Sequence, residues 1–289
     1  MTTRAQKLRT LLGTNAIIRM PCAWDALSAR MISQAGYPLT LMSGFAVSGA
    51  KLGMPDTGLI SFAEMAEQLR LICQAAPDLL VIGDGDTGYG NALNAQRTVR
   101  EYARAGAAAV MIEDQVSPKR CGHTKGKQVV SQAEARMRIR AAIDAAHEGD
   151  NDILILARTD ARAVHGFDDA MERCRIFAEE GADILFLEAP ESVEEMRAFC
   201  AAFDKPAMAN MVGGGKTPIL PAEQLESIGY RIAAYPLLAF SAAVAATRQA
   251  LAAIKTGTAD AVPQVTFEEL KTLVGFDDYY AREQTYRAE

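Results

Sequence analysis

Lys119-Arg120-Cys121-Gly122-His123 sets one thiol among three side chains that can carry positive charge. Cations beside a thiol lower its pKa and ready it to move a proton. Upstream, Asp84-Gly85-Asp86 and Glu113-Asp114 supply paired carboxylates. Acids this close repel one another unless a cation sits among them. The two features together point to metal-assisted chemistry in which a cysteine transfers a proton. The bland reading of Cys121 is a small buried hydrophobe, the usual state of a free cysteine. Its neighbours argue otherwise, because residues 115–127 form a polar, glycine-bearing stretch that reads as a loop.

Such groups need a scaffold. The chain has 289 residues, 49% hydrophobic and 23% charged, enough for one large barrel or two modest domains with a substantial core. A net charge of −6 argues against a nucleic-acid partner, which requires a positive field. No lysine or arginine run suggests a membrane surface, and residues 1–15 contain no signal-peptide core. The apolar stretch 237–254 is interrupted by Arg248 and reads as a packed helix rather than a span. The five cysteines (Cys22, Cys73, Cys121, Cys174, Cys200) are odd in number and show no C-x-x-C spacing, which predicts reduced thiols in a cytoplasmic protein. The histidines, His123, His147 and His165, fall on separate segments, a poor pattern for zinc.

Eight short apolar runs recur, at 16–20, 39–42, 79–82, 108–112, 153–157, 184–187, 206–209 and 232–234. Continuous apolar character is what a strand buried on both faces shows. With a helical pattern after each run, the order predicts an α/β fold, a (β/α)8 TIM barrel, in preference to a doubly wound open sheet. Gly36, Gly106, Gly181 and Gly229 stand where helix C-caps belong, and Ser192 with Glu195 reads as a capping box. No flexible linker divides the chain. One domain over 1–289 is expected, with helical additions at both ends. The segment of about 238–289, polar and aromatic from Pro263 onward, is expected to pack on a neighbouring subunit.

Barrel active sites lie at the C-terminal ends of the strands. The residues following seven of the eight runs are polar: Ser43-Gly44-Phe45, Asp84-Gly85-Asp86, Glu113, Arg158, Glu188, Asn210 and Tyr235. Asp56, in the long second loop, can reach the acids. Oxygen-only ligands select a hard cation, and magnesium takes one or two carboxylates plus waters. One direct ligand is expected among Asp84 and Asp86, with the others acting through water; helix N-capping is the mundane alternative for any single aspartate. The 115–127 loop is long enough to serve as a lid over substrate. Arg158 either pairs with Glu188 or grips a substrate carboxylate.

These residues resemble the isocitrate lyase and phosphoenolpyruvate mutase superfamily. The likeness is carried by residues 21–30 (PCAWDALSAR), 43–45 (SGF), 83–91 (GDGDTGYGN), 112–115 (IEDQ), 119–123 (KRCGH), 157–162 (ARTDAR), 186–190 (FLEAP) and 234–237 (AYPL). The resemblance implies a Mg²⁺-dependent enzyme, with Mn²⁺ as an alternative ion, acting on 2-oxo or 2-hydroxy acids. It also implies a homotetramer with a helix exchanged between barrels. It assigns Asp84 and Asp86 to the metal, Asp56 and Glu113 to its water shell, and the amides of Ser43, Gly44 and Phe45 to the oxo-acid end. Arg158 would bind a carboxylate, with Asn210, Glu188, Gly122 and Pro236 completing the pocket. Cys121 would protonate the carboxylate fragment released on C–C cleavage, with Lys119, Arg120 and His123 offsetting its charge. Tyr89 or a metal-bound water would take the C2 hydroxyl proton.

Within that family, lyases acting on the tricarboxylate 2-methylisocitrate carry an arginine where this chain reads Ser241, in Tyr235-Pro236-Leu237-Leu238-Ala239-Phe240-Ser241. Losing that contact costs on the order of 2–5 kcal/mol for a third carboxylate. Proline at 236, where oxaloacetate hydrolases have serine, disfavours hydrolysis. The expectation is a carbon–carbon lyase cleaving a 2,3-substituted malate, such as 2,3-dimethylmalate, to pyruvate and propionate. The alternatives are 2-methylisocitrate cleavage, oxaloacetate decarboxylation or hydrolysis, and a barrel that only binds a dicarboxylate.

Overall fold

The computed structural model describes residues 2–14, 16–122 and 126–287. It divides into two compact units, Met1–Ala239 and Phe240–Glu289. The first contains eight strands: β1 (Ile18–Ala23), β2 (Leu39–Met42), β3 (Leu80–Asp84), β4 (Ala109–Glu113), β5 (Leu154–Thr159), β6 (Ile184–Leu187), β7 (Met208–Asn210) and β8 (Ile232–Tyr235). They form one parallel sheet in the order β6-β5-β4-β3-β2-β1-β8-β7. The seam between β6 and β7 is joined at Leu185 and Ala207, with the Leu185 amide donating to the Pro206 carbonyl at 3.0 Å. The fold is the (β/α)8 barrel that the order of elements predicts.

Side chains alternate across a strand, and the alternation sorts two cores. Ile18, Met20, Leu39, Leu41, Leu80, Ile82, Ala109, Met111, Leu154, Leu156, Ile184, Phe186, Met208, Ile232 and Ala234 share one buried cluster, the barrel interior. Leu8 and Leu12 of the N-terminal helix Arg4–Leu12 join that cluster, so this helix is an interior-packing addition. The intervening strand residues, such as Val81, Val110 and Ile155, belong to a second cluster with the helix faces. The helices end where their sequences dictate. In Ala92–Ala105, Asn91 and Asn94 form a reciprocal cap and Gly106 closes the last turn at φ 97°.

Three local expectations need correction. β1 continues through Pro21 to Ala23, beyond the predicted stop at 20, because Pro21 pairs with Tyr235 of β8 within the sheet. β7 starts two residues later than the apolar run and ends on Asn210. Ser192 caps the helix Val193–Ala201 through the Glu195 amide, but no reciprocal bond forms. The Glu195 carboxylate instead accepts from Arg162 and from the Glu191 amide.

The second unit holds most of the helix Leu238–Thr256 and all of Phe267–Val274 and Phe276–Gln284. Thr266 and Glu269 cap the second of these reciprocally, and Gly275 terminates it. Leu251, Ile254, Phe267, Leu270, Val274, Tyr279 and Tyr280 are all exposed. No described helix is long and apolar enough to cross a membrane.

Candidate active site at the C-terminal mouth of the barrel

The alternation that fills the barrel also builds its mouth. Leu80 and Ile82 face inward, so Asp84 does too; the same parity carries Ala109 and Met111 to Glu113, and Leu154 and Leu156 to Arg158. Leu41 leads to Ser43, Phe186 to Glu188, Met208 to Asn210 and Ala234 to Pro236. The parallel register then sets Glu113 directly beside Arg158.

Asp84-Gly85-Asp86 turns back on itself. The Gly85 amide donates to the Met111 carbonyl at 2.9 Å and the Asp86 amide to Asp84 Oδ1 at 3.1 Å. Asp86 holds φ 47°, a left-handed conformation uncommon outside glycine. Lys119 enters this acid group from its loop, with Nζ 2.5 Å from Asp56 Oδ1 and 2.9 Å from Asp86 Oδ1. Burial, then the Asp86 charge, pushes Asp84 up to about 6. Burial also raises Asp56 and Glu113. Burial alone would lower Lys119, but Asp86, Asp84 and Asp56 outweigh it and hold the group protonated.

The donors fit a hard divalent ion. Among the described residues, Glu113 Oε1 is buried without a hydrogen-bond partner, and Asp56 Oδ1 and Asp86 Oδ1 meet the Lys119 ammonium as ion pairs. Buried oxygens of this kind call for a cation or ordered water. Among the described residues no three acid, histidine or cysteine side chains converge as a closed ligand cage. An ion held by one or two carboxylates and waters needs no such cage.

A cavity of about 230 Å³ opens beside these acids. Its lining combines polar residues, Asp56, Asp84, Lys119, Arg120, Arg158, Glu188 and Asn210, with apolar ones, Leu41, Phe45, Met111, Phe186, Met208, Val212, Pro236 and Leu237. Ser43, Gly44, Cys121 and Gly122 also line it, so the thiol loop and the acids share one mouth. Cys121 is half-buried and forms no disulfide. Gly122 lies so close to the rim that a Cβ there would stand 2.4 Å from Arg158 Nη2 and 2.9 Å from Glu188 Cδ. Asn210 Nδ2 donates to both Glu188 oxygens, at 3.3 and 3.4 Å.

Several expectations change on contact with the geometry. Of the amides expected to hold the oxo-acid end, that of Ser43 donates to the Ala23 carbonyl at 2.9 Å and that of Gly44 to Asp84 Oδ2 at 3.1 Å. Tyr89 is absent from the cavity lining; its hydroxyl lies 3.4 Å from that of Tyr102 and its ring packs edge-on to Phe62. Burial, then the charge of Asp86, raises its pKa. Asp86 and Glu113 are not among the lining residues but pair with two that are, Lys119 and Arg158. His123 lies outside the described residues.

Sequence reasoning missed Asp160. Its carboxylate accepts from Arg158 Nε at 2.8 Å and Nη2 at 3.0 Å, closer than the 3.5 Å between Arg158 and Glu188. The signal was there: residues i and i+2 of a strand share a face, which puts Asp160 beside Arg158. Burial pushes Asp160 up, but Arg158 and Lys127 outweigh it and hold the carboxyl well below the usual range.

The phosphoenolpyruvate phosphomutase family model matches residues 8–255. The chain is 41% identical over 287 residues to the 2,3-dimethylmalate lyase of Eubacterium barkeri, covering 98% of each chain. It is 41% identical to the 2-methylisocitrate lyase of Aeropyrum pernix, over 96% of this chain and 89% of that one. An oxaloacetate acetylhydrolase structure with 3,3-difluorooxalacetate superposes at a TM-score of 0.94, with 33% identity, over 98% of this chain and 97% of that one.

Proposed function

Because the chain belongs to the phosphoenolpyruvate phosphomutase and isocitrate lyase superfamily and is a lyase of carbon–carbon bonds, we propose that it cleaves a 2,3-substituted malate, with 2,3-dimethylmalate as the model substrate. The observation that carries this reading is one cavity whose lining includes both the acids Asp84 and Asp56 and the loop residues Lys119, Arg120 and Cys121.

In this reading Asp84 and Asp86 would hold a Mg²⁺ or Mn²⁺ ion, with Asp56 and Glu113 as further acids of the same group. Such an ion, when bound, acts as a Lewis acid that stabilises negative charge on the substrate's C2 oxygen. Arg158, fixed by Asp160, faces one substrate carboxylate, and Glu188 with Asn210 holds the adjoining polar wall. Cleavage of the C2–C3 bond, with the C2 hydroxyl proton passing to water in the cavity, leaves pyruvate from the C2 side and carbanion character at C3. Cys121 Sγ delivers its proton to that carbon as general acid, which gives propionate from 2,3-dimethylmalate. Lys119 and Arg120, which line the same cavity, offset the charge that develops. The apolar lining residues, Phe45, Val212, Pro236 and Leu237 among them, receive the alkyl substituent.

A dicarboxylate suits the charges. Lys119 already faces Asp56 and Asp86, and Arg158 faces Asp160, so much of the positive charge of the lining is already engaged by acids of the site. The identity to the Aeropyrum pernix enzyme supports 2-methylisocitrate cleavage as a second reading; Ser241 argues against it. The exposed apolar side chains of 240–289 support a homotetramer built through that segment, and five cysteines outside any disulfide support a cytoplasmic setting.

A lactate-dehydrogenase-coupled pyruvate assay over malates with different C3 groups, 2-methylisocitrate and oxaloacetate, with and without Mg²⁺, tests the reading. Mg²⁺-dependent pyruvate release from 2,3-dimethylmalate above the other substrates is expected. Turnover of the tricarboxylate alone, or consumption of oxaloacetate faster than any malate, would overturn it.

A further inference from the structure

The peptide backbone is gripped on both sides of Cys121 by two buried side chains that no step of the proposed reaction uses. Gln115, 1% exposed, accepts from the Arg120 amide through Oε1 at 2.9 Å and donates from Nε2 to the Arg120 carbonyl at 2.8 Å. That carbonyl belongs to the peptide bond whose nitrogen is Cys121's own. Lys127 donates from Nζ to the Gly122 carbonyl at 2.5 Å and to Asp160 Oδ1 at 2.7 Å. The same Asp160 carboxylate holds the Arg158 guanidinium.

Both grips are themselves anchored. The stems of the loop pair across Gln115 and Val129, with the Val116 amide donating to the Gln128 carbonyl and the Val130 amide to the Asp114 carbonyl, each at 2.9 Å. Arg138, buried, donates from Nη1 to the carbonyls of Glu113 at 2.7 Å and Gln115 at 3.0 Å. A buried ammonium and a buried amide are costly unless satisfied. Here each is satisfied by backbone atoms one residue from the thiol, so the geometry the two side chains enforce is that of Cys121.

We propose that Gln115 and Lys127 are positioning residues that fix the backbone on either side of Cys121 and so aim its thiol into the cavity, with Asp160 tying that aim to Arg158. This rests on Cys121 being the proton donor. A displacement of about 1 Å at a reacting group costs about 100-fold in rate. A bond that only stabilised the fold would not change the chemical step once the protein is folded.

The variants Gln115→Met and Lys127→Met remove the polar contacts at similar volume. Both are expected to lose about 100-fold in kcat with KM near wild type, and Lys127→Arg is expected to recover part of the loss. Iodoacetamide modification of Cys121, mapped by mass spectrometry with Mg²⁺ and oxalate present, is expected to run about tenfold faster in both methionine variants as the loop opens more often. The other described cysteines are poor competitors: burial pushes Cys22 and Cys200 up to about 12, Cys73 up to about 11, and Cys174 well above its usual value. Wild-type kcat or wild-type modification rates in the variants would overturn the proposal. The modification arm needs no turnover, so a failure of the malate reading leaves it decisive. Should the variants not fold, hydrogen exchange at the Arg120 amide in the wild type decides: slow exchange supports the grip, and exchange at the rate of an open loop refutes it.

Discussion

The Gly44 amide donates to Asp84 Oδ2 at 3.1 Å, and a Cβ on Gly44 would stand 2.5 Å from that same oxygen. The loop after β2 therefore orients the carboxylate at the end of β3, across the strand pair that β2 and β3 form. Only glycine lets the two approach this closely.

Gly44→Ala is accordingly expected to push the Asp84 carboxylate out of place. Loss of an orienting partner of a ligating carboxylate typically weakens metal binding about 10- to 100-fold. Isothermal titration of Mg²⁺ into the variant and the wild type would show the change, and equal affinities would detach Gly44 from the metal.

Asp160 ties Arg158 and Lys127 together at the mouth, and its amide is in turn bonded to Asp114 Oδ1. Its carboxyl is held below the ordinary aspartate value of about 3.9, so its ionised form adds stability that is fully present above that pH. That stability is lost as the pH falls below the ordinary value toward the folded-state one. Asp160→Asn leaves two buried cations poorly compensated, which should cost on the order of 3–5 kcal/mol at pH 7. Urea unfolding at a series of pH values should show the gap between variant and wild type constant from neutrality to about pH 5 and narrowing in more acid solution. A gap that widens with acid would contradict the assignment.

The second unit predicts assembly. Phe267, Leu270 and Val274 are exposed on one helix of eight residues, more apolar surface than an unpartnered helix of this size normally presents. Sedimentation velocity should find a tetramer for the wild type and a smaller species for a Phe267→Asp, Leu270→Asp double variant; an unchanged distribution would remove this segment from the interface.

The sequence carried the barrel because buried parallel strands are written as unbroken apolar runs, and it carried the acids because each run ends at the mouth. Asp84, Glu113, Arg158, Glu188 and Asn210 could be placed by counting from those ends. The roles of Ser43 and Gly44 could not, since a backbone amide's partner depends on which atom the fold brings near; here it is Ala23 and Asp84. Tyr89 looked like a mouth residue from its motif, yet its left-handed φ of 59° accompanies a ring turned to Phe62 and a hydroxyl near Tyr102. Gln115 and Lys127 passed unnoticed because a glutamine and a lysine in a polar loop read as solvated. Only their burial and the carbonyls they meet give them away.

The most direct test is the turnover of Cys121→Ser on 2,3-dimethylmalate with Mg²⁺, beside its binding of oxalate. A hydroxyl is a far weaker acid than a thiol in this setting, and loss of a positioned general acid costs about 100- to 10,000-fold. A loss of that size in kcat with oxalate affinity unchanged is the predicted result; turnover near the wild-type rate would contradict the thiol's place in the chemistry.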